Sequence, residues 1–195
     1  RMHDLAERIA HAPTLDVGIV QANLGLMENY TDPLEAHDRH VEQSLQLERE
    51  HHPDLIVWSE SAVALFIPES VHNVGSVVLG DVRTPVLFGG LSRRRDHGDV
   101  QDFNTAFLTD ARGDVRGTYD KTYLLAFGEY MPFGDVFPRL YEISRNSGHF
   151  TPGSHVRPMP FRGYRITTLI CYEDVLPSFV RKAVAAGDPH LLVNL

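Results

Sequence analysis

Two short apolar runs flanking one amphipathic stretch constrain this chain more than any other feature. Residues 14–21 (TLDVGIVQ) and 54–58 (DLIVW) are rich in aliphatic and β-branched side chains, as buried strands are. Between them, residues 33–50 read as a helix. Asp32 can cap it, Pro33 suits its first turn, Leu34, Val41 and Leu45 fall on one face, and His51-His52-Pro53 stops it. Strand, helix, strand with short joints is a βαβ unit, which demands a parallel sheet covered on both faces.

The rest of the chain adds elements to that unit. Residues 23–32 are loop-like, 69–80 read as a second helix despite Gly75, and 85–92 (PVLFGGLS) as a third strand. Residues 103–110 and 115–119 form a hairpin across Ala111-Arg112-Gly113-Asp114. A second hairpin joins 156–161 to 164–170 through Arg162-Gly163. One or two helical turns are expected over 140–145, a helix over 174–186 ended by Gly187, and a last strand over 190–195. Residues 121–138 are rich in Gly, Pro and aromatics with little periodicity, and a long irregular apolar segment in a compact domain is usually functional. The pattern is α/β with added hairpins. In such sheets ligands gather beyond the carboxyl ends of strands, and both Glu60 and Cys171 stand just past such ends.

Composition removes several function classes. The chain has 195 residues, 43% hydrophobic and 23% charged, which fits one globular domain and excludes a disordered or fibrous one. A net charge of −8 argues against a nucleic-acid partner. The one basic run, Arg93-Arg94-Arg95, is followed by Asp96 and Asp99 and reads as a solvated loop. A single cysteine excludes an intrachain disulfide. No GxGxxG or Walker sequence points to a nucleotide cofactor. No HExxH or Cys/His cluster points to a metal, although His37 and His40 share a helix face. No cofactor is expected. No apolar run nears the ~20 residues that span a bilayer. The chain opens at Arg1 and closes on an apolar run, 191–195. The expectation is a piece of a longer protein: residues 1–13 a linker helix from a membrane region, and 14–195 a catalytic domain cut at its C-terminus.

Four residues could carry chemistry. Cys171 (TTLICYEDVLP) lies at a strand-to-helix turn, where free backbone N–H groups can favour a thiolate and hold an oxyanion. Glu173 and Asp174 beside it would raise the thiol pKa, so a cation is needed nearby. On position alone Cys171 is either a nucleophile or a buried filler. Lys121, after Tyr119-Asp120, is either that cation or a solvated strand end. Glu60 (WSESA) is either a base or a turn residue. Glu129 (FGEY) sits among aromatics, which desolvate a carboxylate and make it a usable base.

Taken together, VGIVQAN at 17–23, WSESA at 58–62, FGGL at 88–91, FNTAFL at 103–108, YDKTYLLAFGEYMPF at 119–133, FTPG at 150–153 and ICYEDVLP at 170–177 resemble the nitrilase (carbon–nitrogen hydrolase) superfamily, in its order and along nearly the whole chain. The resemblance is closest to the catalytic domain of the bacterial apolipoprotein N-acyltransferases. It implies an α-β-β-α sandwich of two mixed sheets, incomplete at the C-terminus. It maps a general base onto Glu60, a lysine onto Lys121 and a nucleophile onto Cys171, with Glu129, Glu173 and Tyr172 in support. Ser59 and Ala126 stand where the family commonly has Pro, which could loosen the loops holding Glu60 and Glu129.

In the acyltransferase branch the resemblance implies a phospholipid acyl donor and an apolipoprotein acceptor carrying a diacylglyceryl-cysteine. It also implies a site facing the periplasm of the inner membrane, reached through segments absent from this chain. Residues 124–137 (LLAFGEYMPFGDVF) then suit a lid against lipid, or equally a piece of core. Two rivals stay open: a soluble amidase or nitrilase using water as acceptor, and a non-catalytic fragment.

Overall fold

The computed structural model describes residues 11–23, 33–96, 98–134, 136–137, 139–143 and 148–195. Most of the expected linker helix, the 24–32 loop with the Asp32 cap, and residues 144–145 lie outside them.

The βαβ unit forms as the sequence demands. β1 (Val17–Val20) and β2 (Leu55–Trp58) pair in parallel, joined by helix α1 (Pro33–His51). β2 pairs in parallel with β4 (Val86–Asp96), and an antiparallel hairpin follows through β5 (Asp99–Thr109) to β6 (Val115–Asp120). β3 (Val63–Pro68) pairs in parallel with β4 off the main path. A second sheet holds β7 (Met159–Phe161), β8 (Tyr164–Leu169) and β9 (Leu191–Asn194), with β7 antiparallel and β9 parallel to β8.

Side-chain alternation along β2 explains the layers. Ile56 and Trp58 pack with Val86 and Phe88 beneath Val41, Leu45 and Leu47 of α1. Leu55 and Val57 face the other way, with Leu87, Ala106 and Leu108, onto Met159, Phe161 and Ile166 of the second sheet. Helix α3 (Pro177–Gly187) lies against β8. The result is helix, sheet, sheet, helix, with both sheets mixed. A short helix, α2 (Arg139–Ile143), follows the irregular segment.

Several local expectations are corrected. Leu34 is exposed; the fully buried positions of α1 are Ala36, His40 and Ser44. These are spaced four apart and tied to β2. His40 Nδ1 donates to Ala36 O at 2.7 Å, Ser44 Oγ donates to His40 O at 2.7 Å, and Trp58 Nε1 donates to Ser44 Oγ at 2.8 Å. Residues 69–80 make no α-helix but one wide π-turn, Gly75–Leu79. The β5–β6 turn holds it, through Val74 N–H to Gly113 O at 2.8 Å and Asn73 Nδ2 to Asp114 at 2.8 Å. Arg93-Arg94-Arg95 is strand, not loop: Arg93 is opposite Asp102 and bonds it at 2.6 Å, and Arg94 reaches Asp120 at 2.7 Å. Charge pairing across strands lets a basic run extend a sheet. The helix expected over 174–186 begins only at Pro177, after a separate 3-10 turn, Cys171–Val175. β3 was not among the elements expected from the sequence.

Candidate active site

Glu60 leaves β2 through a tight loop in which Ser61 adopts a left-handed φ of 55°. Gly89 of β4 makes room for that loop: a Cβ there would lie 2.8 Å from Glu60 Cα. Lys121 follows β6 and is buried, at 1% exposure. Its N–H donates to Asn104 O at 2.8 Å, and its carbonyl accepts Gly153 N–H at 2.8 Å. Glu129 sits in a turn closed by Phe127 N–H to Tyr130 O at 2.8 Å, and its Oε2 accepts Leu125 N–H at 2.8 Å. Cys171 is the residue after Ile170 at the end of β8. It has φ 53°, a strained value for a non-glycine residue, and is exposed. Its N–H donates to Leu195 O at 2.9 Å, and Asn194 Nδ2 donates to its carbonyl at 3.3 Å.

The fold brings these groups to one place. Lys121 Nζ donates to Glu129 Oε1 at 2.8 Å and lies 3.5 Å from Glu60 Oε1. The Cys171 thiol lies close enough to feel the charges of both Glu60 and Lys121. Burial alone would lower the Lys121 pKa, but the Glu129 hydrogen bond and the charges of Glu60 and Glu129 outweigh it, so the ammonium is held more firmly than usual. The thiol is pushed above its ordinary range, first by burial and then by the Glu60 charge, against the pull of Lys121. The carboxylate that raises the thiol is therefore Glu60, and not Glu173 or Asp174 as the sequence order suggested.

Glu173 has a different place. It is wholly buried, and its two oxygens accept the N–H groups of Thr122, Tyr123 and Ile170, each at 2.9 Å. They also accept the Thr122 hydroxyl at 3.1 Å and the Tyr119 hydroxyl at 2.7 Å. Burial and the Glu173 charge hold the Tyr119 phenol far above its usual range, so it remains a donor. This cluster ties the Cys171 turn to the residues that follow Lys121. Tyr172, next to Cys171, presents a half-exposed ring.

A cavity of about 810 Å³ opens beside the cluster, lined by Thr122, Tyr123, Leu125, Tyr130, Phe150 and Tyr172 among others. The apolar segment before α2 divides: Leu124 and Met131 are buried, while Leu125, Phe127, Phe133, Val136 and Phe137 are exposed. It is thus neither wholly core nor wholly lid.

Sequence reasoning missed Asn104. It is 5% exposed on β5, and its Nδ2 donates to Glu60 Oε1 at 2.9 Å and Glu129 Oε1 at 3.1 Å. The signal was present in FNTAFL, a polar residue inside an apolar strand. Tyr119 and Thr122, which hold Glu173, were also missed. His37 and His40 do not form a metal site: His37 Nε2 bonds Val78 O at 2.7 Å, and His40 Nδ1 is occupied by Ala36 O.

Residues 16–194 match the family model described as carbon-nitrogen hydrolase. The apolipoprotein N-acyltransferase of Geobacter metallireducens is 31% identical over 144 residues, which cover 73% of this chain and 27% of that protein. That of Rhizobium rhizogenes is 26% identical over 176 residues, 86% of this chain and 33% of that protein. The chain thus spans about a quarter to a third of the length of these relatives. Among solved structures, an amidase from Nesterenkonia sp. superposes with a TM-score of 0.61 at 18% identity, covering 92% of this chain and 64% of the amidase. A carbon-nitrogen hydrolase from Helicobacter pylori G27 superposes with a TM-score of 0.56 at 18% identity, covering 92% of this chain and 59% of its own.

Proposed function

The chain belongs to the carbon–nitrogen hydrolase family, and from that premise we propose that it transfers a fatty acyl group from a phospholipid, through a thioester on Cys171, to the N-terminal amine of a diacylglyceryl-cysteine apolipoprotein. The observation that carries this reading is that Cys171, Glu60 and Lys121, far apart in sequence, come together: Lys121 Nζ lies 3.5 Å from Glu60 Oε1, and the charges of both bear on the Cys171 thiol. The acyltransferase names of the relatives supply the donor and acceptor classes.

The chemistry follows from the groups. Glu60 accepts the thiol proton as the sulfur attacks the ester carbonyl of the phospholipid. Lys121, held as an ammonium, and the Tyr172 N–H stabilise the tetrahedral oxyanion. Collapse breaks the ester C–O bond, and the lysophospholipid alkoxide leaves with the proton from Glu60. The acceptor amine then attacks the thioester. Glu60 removes the proton of that amine, an amide forms, and the released thiolate takes the proton back. Glu129 keeps Lys121 in place, and Glu173 keeps the two halves of the site in register.

In this reading the site works at the periplasmic face of the bacterial inner membrane. Among the described residues no helix is long and apolar enough to cross a membrane. The exposed Leu125, Phe127, Phe133, Val136 and Phe137 supply apolar surface suited to contact with acyl chains. The test is mass spectrometry of the full-length protein after incubation with phospholipid vesicles. An acyl adduct on Cys171, absent in Cys171→Ala and discharged by a lipopeptide amine, is the expected result. Ammonia release from amides with no lysophospholipid formed would replace this reading with an amidase using water.

A further inference from the structure

Asn104 was given no role by the motifs, yet its side chain bridges Glu60 and Glu129 and its backbone carbonyl holds the backbone of Lys121. Its carbonyl accepts the Lys121 N–H at 2.8 Å. Its amide nitrogen donates to Glu60 Oε1 at 2.9 Å and Glu129 Oε1 at 3.1 Å. Lys121 Nζ approaches the same two oxygens, at 3.5 and 2.8 Å. Two carboxylate oxygens and two nitrogen donors therefore alternate around a four-cornered ring. The orientation of the amide follows from chemistry: turned over, its oxygen would face two carboxylates. The cost of the orientation is visible, because Asn104 Oδ1 is buried without a hydrogen-bond partner.

Two carboxylates sharing one site tend to trap a proton between them. Lys121 supplies one positive charge against two negative ones, and it lies closer to Glu129 than to Glu60. The shorter of the two Asn104 contacts falls on Glu60, the carboxylate that Lys121 serves less well. We infer that Asn104 is a positioning residue that holds the Glu60 and Glu129 carboxylates side by side, so that Glu60 stays open to Cys171 while Glu129 stays fixed on Lys121. The inference rests on the proposed reading of Glu60 as base, and it adds the group that makes such a base possible beside a second carboxylate.

The test uses a small activated ester, p-nitrophenyl acetate, whose nitrophenolate burst reports acylation of Cys171 without any natural substrate. The full-length protein, Asn104→Ala, Asn104→Asp and Cys171→Ala are followed from acid to neutral pH, with circular dichroism as the check on folding. Asn104→Asp keeps the shape but exchanges the bridging donor for a third carboxylate; Asn104→Ala removes the donor and adds no charge. The expected result is an acid limb displaced upward in both, by about one pH unit or more in Asn104→Asp, so that on that limb the burst is roughly tenfold slower or worse. Asn104→Asp is the more impaired of the two. A role in packing alone gives the opposite order, with Asn104→Asp close to the unsubstituted rate and neither limb moved, and that result overturns the inference. If Asn104→Asp does not fold, the limb of Asn104→Ala decides alone. A Cys171-dependent burst without transfer from phospholipid removes only the substrate assignment and leaves the Asn104 comparison valid. No burst in the unsubstituted protein overturns the base reading and this inference with it.

Discussion

Glu60 and Glu173 are both carboxylates on loops that close the same site, and their surroundings are opposite. Glu60 keeps 28% of its side chain open and meets a thiol, an amide and an ammonium. Glu173 is wholly buried and meets only neutral donors, three of them backbone N–H groups. A carboxylate surrounded by fixed donors has no lone pair to spare for a proton in transit. One that is partly open beside a thiol has. The lesson is that nearness to the reacting centre does not assign a role; the hydrogen-bond census around the carboxylate does.

The sharpest way to break this contrast is to neutralise each carboxylate in turn. Glu60→Gln removes the proton acceptor and leaves a shape of the same size. Acylation of Cys171 should fall by about 10²–10⁴-fold, the usual worth of a positioned general base, with the melting temperature nearly unchanged. Stopped-flow acylation beside a thermal scan measures both. A rate within a few-fold of the unsubstituted protein would show that Glu60 does not carry the proton.

Glu173→Ala should show the reverse emphasis. It strands the N–H groups of Thr122, Tyr123 and Ile170 and the hydroxyl of Tyr119, and an orphaned buried donor costs about 1–3 kcal/mol. A loss of about 3 kcal/mol is expected, a fall of roughly 6–12 °C in melting temperature for a chain of this size. Activity drops too, because the Cys171 turn is no longer tied to the Lys121 loop, but the pH dependence of the remaining activity keeps its shape. Chemical denaturation together with a pH–rate profile separates the two effects. An unchanged stability would mean that the donors find water instead.

This contrast also marks what the sequence made legible. The βαβ unit was readable because buried parallel strands leave short, wholly apolar runs, as DLIVW does. Glu60, Lys121 and Cys171 could be singled out as candidates because each follows a strand end, and the ordered motifs grouped them before any geometry was known. What could not be read was which polar residue faces which. Asn104 and Ser44 sit on buried faces, and their partners come from strands or helices many residues away. Residues 69–80 failed for the same reason: a helix-like string is held as a π-turn by a hairpin tip that contacts it only in the folded chain. The helix after Cys171 was placed too early because Pro177, which suits a first turn, went unused as a start signal.

A last measurement sharpens the contrast where the effect is smallest. The Cys171 thiol is raised by burial first and by the Glu60 charge next, and is lowered by Lys121. A thiol so raised holds less thiolate at neutral pH, and the thiolate is the form that iodoacetamide alkylates. In the unsubstituted protein, alkylation of this single cysteine should therefore rise with pH to a midpoint above the ordinary thiol range. Glu60→Gln deletes the negative charge and leaves Lys121 opposed only by burial. The alkylation curve then moves to lower pH, by about one unit, although acylation of the same sulfur has become slower. Glu173→Gln leaves the curve where it was, because Glu173 is not among the groups that shift the thiol. Two glutamines that moved the curve equally would mean that the charge on the thiol is felt through the whole loop, and the division between a reacting and a holding carboxylate would fall.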